Sequence, residues 1–380
     1  MSQQFLAMLQ LRRPKARFEV NDAMASFLPL KSLVFATGIA VTIGVFHTSV
    51  QNLIINTVTG PGSYSRIAIA ILLLGNLKNL PGVWHTQYRV LKGLFQHVIF
   101  SKRYIPAELG PASLFLPIIN PSHSTLWECD YNAHKSNSTY FSDLDVTRAH
   151  LVACLLQPGI DALRNNKKTG LVLDANGKKM RGRWGIILGG TSCSFRKEVA
   201  PYGSYEMWSR LLCWDKKWIY IVTHFVKKGK VKPKGYVLGD GSWFGGRNAR
   251  FVAQEEEADN IEEKYILATG ISKYVIKLGR MTIHPEVLLA SSGLLPEKPG
   301  GWATMSVSGE STALLVGEAA KAKDKQNEIA EGPGAWTWEK TVAENEKGLK
   351  YAEHFAALEG LTAEFSGSKA PALGKFKDLL

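Results

Sequence analysis

The chain has 380 residues, enough for two or three domains, and its 45% hydrophobic, 21% charged composition is that of a globular protein. A wholly disordered chain, a collagen and a polytopic transporter are excluded. Its four cysteines form no C-x-x-C and no even framework, which excludes a disulfide-stapled secreted scaffold and a zinc ribbon. The net charge of +13 permits an anionic neighbour.

In chain order, basic residues dominate the first 110 positions, from Arg12, Arg13, Lys15 and Arg17 to Lys102 and Arg103. Between Lys31 and Arg66 there is no Asp, Glu, Lys or Arg. Leu30–Val50 is just long enough for a membrane helix, which needs roughly 20 mostly apolar residues. The second apolar run, Ile67–Leu77, is short for a span. With Trp84, Tyr88, Arg89 and Lys92 behind it, it reads as a segment lying on a bilayer. The other reading makes both runs core helices.

After Pro106, Pro111 and Pro117, residues 123–129 (HSTLWEC) read as a strand. From Asn137 to Gln157, apolar Phe141, Leu144, Leu151, Val152 and Leu155 recur at helical spacing, ended by Pro158-Gly159. The C-terminal half of this helix is apolar nearly all round, as suits a helix wrapped by other elements. Trp184–Phe195, Tyr205–Cys213, Trp218–Val226 and Ile266–Ile283 are β-branched and aromatic strand candidates. The order is α+β, a long helix followed by antiparallel strands that can curve around it. An insertion before the last strand holds a Gly-rich run, Gly239–Gly246, and the acidic Glu255–Asp259. The tail gives helix-compatible stretches at 313–330 and 338–360, the second with Val342, Leu349, Phe355, Leu358 and Leu361 on one face.

No G-x-S-x-G and no G-x-x-x-x-G-K-[ST] occurs, and no H-E-x-x-H or close histidine pair asks for a metal. No cofactor is implied, and no nucleic-acid signature supports the basic clusters as a nucleic-acid surface. The lysines Lys227, Lys228, Lys230, Lys232 and Lys234 are either a phosphate-binding patch or a solvated hairpin loop.

The dense polar run Asp130-Tyr131-Asn132-Ala133-His134-Lys135-Ser136-Asn137-Ser138-Thr139-Tyr140 lies just before the long helix. A helix N-terminus offers unpaired N–H groups and the positive end of a dipole, which suit an oxyanion. A carboxylate a few residues upstream can activate water or attack an acyl carbon. The alternative is a polar turn ahead of a well-capped helix.

Asp130, Asn132, His134, Asn137 and Tyr140 spell D-x-N-x-H-x-x-N-x-x-Y, which resembles the D-x-N-x-H-V-N-N-x-x-Y motif of hotdog-fold acyl thioesterases. Phe141–Arg148, Glu206–Tyr220 and Ile271–Ile283 resemble that family's helix and later strands. With Asn79–Trp84, the chain is similar over roughly 75–285 to fungal thioesterase-like proteins related to thioesterase superfamily member six. The resemblance implies a hotdog fold, a long central helix wrapped by a curved antiparallel sheet, here with an N-terminal membrane helix and a helical C-terminal tail. The domains are then 1–62 (basic segment and membrane helix), 63–110 (interfacial segment and linker), 111–284 (hotdog domain) and 285–380 (tail).

The resemblance also implies a homodimer, an acyl-CoA or other acyl-thioester substrate, and Asp130 as base or nucleophile. Asn132 and His134 line the site, the Asn137 N–H polarises the carbonyl, and Tyr140 packs beside the acyl chain. Ser136 is expected in the site, and from the charge pattern Lys227 and Lys228 are expected to suit coenzyme A phosphates. The chain departs from the motif at Ser136, usually Asn, and at Lys135, usually apolar. A membrane-attached thioester hydrolase in an endomembrane such as the endoplasmic reticulum, touching membrane lipid, is one expectation. A non-catalytic hotdog module binding lipid or a protein is the other, and a hotdog dehydratase needs a His and a carboxylate from two protomers.

Overall fold

A computed structural model describes residues 51–52, 55–56, 59–79, 88–100, 105, 109–173, 178–233, 235–238, 263–299 and 336–365. Two compact units divide the chain after Gly75. In the first, Ser63–Gly75 forms helix α1, with Ile69, Ile71 and Leu74 exposed. Its 13 residues span about 20 Å at the α-helical rise, short of the roughly 30 Å hydrocarbon core. Among the described residues no helix is long and apolar enough to cross a membrane. The expected N-terminal membrane helix and the single-pass or hairpin anchor are therefore not supported by any described helix. Leu30–Val50 itself lies outside the described residues, as do the Gly-rich and acidic runs of the insertion and the stretch 313–330.

In the second unit a six-stranded antiparallel sheet takes the order β1-β3-β4-β5-β2, with β6 pairing the end of β5. The strands are β1 (Ile118–His123), β2 (Trp184–Phe195), β3 (Ser204–Trp214), β4 (Trp218–Lys227), β5 (Ile266–Leu278) and β6 (Met281–Ile283). The first strand ends where the sequence predicts it to begin. Pro121, which has no N–H to donate, is accommodated because β1 is an edge strand. The single strand expected over Ile266–Ile283 is folded into a hairpin at Gly279, whose φ of +61° favours glycine.

Helix α2 (Arg89–Leu94) runs on as a π-helical turn, Phe95–Phe100. The central helix is α3 (Asn137–Leu155). Tyr140, Leu144, Leu151 and Leu155 fall on its inward stripe and are buried against the inner sheet face. The helix lies so close to β5 that a Cβ on Gly270 would come within 2.9 Å of the Leu144 side chain. Helix α2 packs on α3 as well, with Gly93 against the ring of His150. Being covered by both sheet and α2 explains why α3 shows no single apolar face.

Helices α4 (Gln157–Arg164) and α5 (Pro285–Ser291) pack together beyond the end of α3. The second lies outside the helix-compatible stretches the sequence offers for the tail, 313–330 and 338–360. It starts at Pro285, where a missing N–H costs nothing, and is capped by His284 Nδ1, which accepts from the Glu286 N–H at 3.2 Å. Helix α6 (Trp338–Ala357) lies on the outer sheet face. Leu349, Ala352 and Phe355 pack there against Leu212, Cys213, Tyr220, Val222 and Ile271, whereas Leu358 and Leu361 are exposed.

Candidate functional site

The polar run folds as a tight loop rooted on an isolated antiparallel bridge between Cys129 and Lys135. Within it the Asp130 N–H donates to the His134 carbonyl at 3.0 Å, and the Ala133 N–H donates to the Asp130 carbonyl at 3.1 Å. This turn holds Ala133 at φ +58°, a left-handed conformation that costs an L-residue about 1 kcal/mol or more. The Asp130 carboxylate accepts from the Asn132 N–H at 2.9 Å through Oδ1, and its Oδ2 lies 3.6 Å from His134 Nδ1. His134 Nε2 in turn lies 3.7 Å from Glu198 Oε1. The imidazole thus stands between two carboxylates, one of them on a residue the sequence did not single out.

After the loop, Ser136 takes the extended conformation of an N-cap and its carbonyl accepts from the Thr139 N–H at 3.0 Å. Its hydroxyl bonds to that of Ser138 at 3.1 Å. Asn137 is the first residue of α3 and is exposed. The N–H groups of Asn137 and Ser138, the first two helical residues, have no helical carbonyl one turn back, and the dipole of a 19-residue helix adds positive potential there. Asp130, Asn132, His134, Ser136 and Asn137 therefore share one loop and one helix start.

The remaining expected residues lie apart from that loop. Tyr140 is 2% exposed, its ring edge-on to Phe195 and Phe225 at 5.1 and 4.9 Å. Lys227 is the exposed last residue of β4, opposite Tyr205 in register, and Lys228 is exposed in the following turn. Among the described residues no group of three or more His, Cys, Asp or Glu side chains can hold a metal ion.

Beneath the loop is a buried charge cluster that the sequence did not reveal. Glu128 and Asp143 are both fully buried. Lys78 Nζ lies 2.9 Å from Glu128 and 3.1 Å from Asp143. Lys135 Nζ lies 2.9 Å from Glu128 and 3.0 Å from Asp143. Arg89 Nη2 reaches Asp143 at 2.8 Å, and the Tyr205 hydroxyl donates to the same carboxylate. Burial alone pushes the Asp143 carboxyl up, but Lys78, Lys135, Arg89 and the Tyr205 hydrogen bond hold it well below the usual carboxylate range. Burial also lowers the Lys78 ammonium, opposed by Asp143 and reinforced by Lys135.

One signal of the cluster was present in the sequence. Asp143 falls three residues after Tyr140 and four before Thr147, on the inward stripe of α3. A carboxylate on that stripe requires buried partners. Two of them come from residues 78 and 89, far away in the chain.

Residues 124–245 match the family model described as the thioesterase-like superfamily. The thioesterase poxG of Penicillium oxalicum is 33% identical over 310 residues, 80% of this chain and 88% of that protein. The probable thioesterase atnL of Emericella nidulans is 33% identical over 326 residues, 84% of this chain and 92% of that one. A solved 1,4-dihydroxy-2-naphthoyl-CoA thioesterase from Synechocystis superposes with a TM-score of 0.28 at 8% identity, covering 46% of this chain and 95% of its own, a likeness too distant to say more. With a third of its residues shared with fungal thioesterases across four-fifths of its length, and a long helix enclosed by an antiparallel sheet, the chain belongs to the thioesterase-like superfamily of hotdog proteins.

Proposed function

We propose that the protein hydrolyses an acyl thioester, with Asp130 as general base and the α3 N-terminus as oxyanion site. The observation that carries this reading is the seating of the Asp130–His134 loop directly ahead of Asn137, at the start of the central helix. Asp130 takes a proton from water as the water oxygen bonds to the thioester carbonyl carbon. The carbonyl oxygen becomes an oxyanion facing the Asn137 N–H. When the intermediate collapses the C–S bond breaks, and the proton held on Asp130 passes to the thiolate, leaving acid and thiol. His134, between Asp130 and Glu198, orients the carboxylate, and Asn132 and Ser136 border the reacting group.

An acyl-CoA is the substrate class that best suits a chain of net charge +13 with Lys227 and Lys228 exposed at the end of β4. Tyr140 bounds the acyl side of the site from within the core. A homodimer is supported by β2, an edge strand that leaves Trp184, Ile187, Leu188 and Phe195 exposed. A second reading, a non-catalytic hotdog module that binds an acyl group or a protein, is favoured by one observation. The Asp130 carboxylate is already engaged by the Asn132 N–H of its own loop.

The two readings separate on turnover of a panel of acyl-CoA chain lengths by the purified protein, with Asp130→Asn alongside. Hydrolysis that falls at least about a hundredfold in a folded Asp130→Asn protein is the expected result, the size of a lost general base. Unchanged hydrolysis in the mutant removes Asp130 from the mechanism, and acyl binding without turnover favours the second reading.

A further inference from the structure

Glu128 and Lys135 stand at the two ends of the loop that carries Asp130 and His134. The loop is closed through the backbone as well, the Ser136 N–H donating to the Glu128 carbonyl at 2.7 Å, and the Lys135 N–H ties it to the Val199 carbonyl at 2.8 Å. Below the loop the Lys135 ammonium binds both Glu128 and Asp143, the latter in the second turn of α3. One buried side chain therefore joins the start of the loop, its end and the helix it precedes.

By formal charge this ammonium is not needed to neutralise the two carboxylates of the cluster. Lys78 and Arg89 already supply two positive charges for the carboxylates of Glu128 and Asp143, and Lys78 contacts both of them. Lys135 is a third cation with a side chain 0% exposed. Withdrawing a charge from water is costly, and apolar replacements of buried ion pairs are often neutral or stabilising. A surplus buried cation is therefore poorly explained by stability alone.

We infer that Lys135 is a positioning residue, which locks the Asp130–His134 loop in register with the N-terminus of α3 through Glu128 and Asp143. The effect on turnover rests on the proposed role of Asp130, whereas the effect on the loop does not. Lys135→Met removes the ammonium but leaves two cations for two carboxylates, so the fold is retained. Lys135→Arg restores the charge with a different reach.

The test compares the full-length wild type with Lys135→Met and Lys135→Arg by amide hydrogen exchange across residues 130–137 and by acyl-CoA hydrolysis. In folded Lys135→Met the loop amides exchange at least tenfold faster. The kcat falls tenfold or more while KM stays within threefold, and Lys135→Arg recovers part of both losses. Unchanged loop exchange in folded Lys135→Met overturns the inference. So does a loss of melting temperature with kcat and KM both unaltered, which is the mark of a merely structural group. If the wild type lacks turnover but Lys135→Met loosens the loop, the locking stands and the hydrolase reading fails. If Lys135→Met does not fold, Glu128→Gln with Lys135→Met removes both partners together. Failure of that double variant to fold makes the cluster a folding requirement and overturns the positioning role.

Discussion

The side-chain amide of Asn345 pairs with both backbone groups of Trp214, accepting its N–H at 2.8 Å and donating to its carbonyl at 3.1 Å. Asn345 thereby acts as an extra strand residue at the end of β3, and it fixes the lengthwise position of α6 on the outer sheet face. Three residues on, the helix comes so close to the sheet that a Cβ on Gly348 would lie 2.5 Å from the Leu212 carbonyl oxygen and 2.7 Å from Cys213 Cβ.

Gly348→Ala should therefore destabilise the protein, although Gly to Ala in a helix interior ordinarily gains about 1 kcal/mol. The overlap involves backbone oxygen and a buried side chain, and overpacking of this kind costs roughly 1–3 kcal/mol. Asn345→Ala strips partners from two backbone groups at about 1–3 kcal/mol. Both variants should lower the midpoint of urea unfolding and speed hydrogen exchange in α6 before the central strands. A higher midpoint for Gly348→Ala would show that α6 does not lie this close to β3.

A second prediction concerns pH. His150 on α3 packs on Gly93 of α2, with its Nδ1 3.1 Å from His97 Nε2. Burial lowers its pKa to about 4, and the nearby His97, Lys92 and Arg89 add to the effect. Between the ordinary value near 6.5 and about 4, the unfolded chain binds this proton and the folded one does not. Stability therefore falls as the pH drops through that window, and the loss is complete below it. The contribution of His150 is on the order of 3 kcal/mol. His150→Gln should flatten the difference in unfolding free energy between pH 7 and pH 4 relative to wild type, and parallel profiles would refute the assignment.

The central helix and the four long strands were legible because each is a sustained run of one periodicity. Asn137–Leu155 carries apolar residues at helical spacing, and β3 alternates buried and half-buried positions from Tyr205 to Leu211. Boundaries were lost where a local signal was ambiguous. Leu126–Glu128 reads as strand by composition but forms a 3-10 turn, because the chain must leave the edge strand and enter the loop. The Asp130 loop was legible from its motif. The charge cluster beneath it was not, since Lys78 and Arg89 reach Asp143 from 65 and 54 residues away. No sequence window contains that encounter. An apolar run such as Ile67–Leu77 is equally silent on whether it meets lipid or protein, as composition fixes the wish to avoid water and not the partner.

Tyr140 separates the motif reading from the packing reading. The motif assigns it to the acyl chain, yet its ring is enclosed by Phe195 and Phe225, with the Lys135 ammonium 5.1 Å from its centroid. Burial raises its phenol above the ordinary range, so it stays neutral throughout the working pH range. As a core residue, Tyr140→Ala should cost roughly 3–5 kcal/mol, the usual loss for deleting a buried aromatic ring. Tyr140→Phe retains the ring and both edge-on contacts, so it should cost under about 1.5 kcal/mol, the usual limit for a nearly volume-conserving swap. The acyl-CoA chain-length profile of Tyr140→Phe should match that of wild type if the residue acts through packing. A shifted chain-length optimum at unchanged stability would instead place the Tyr140 hydroxyl against the substrate.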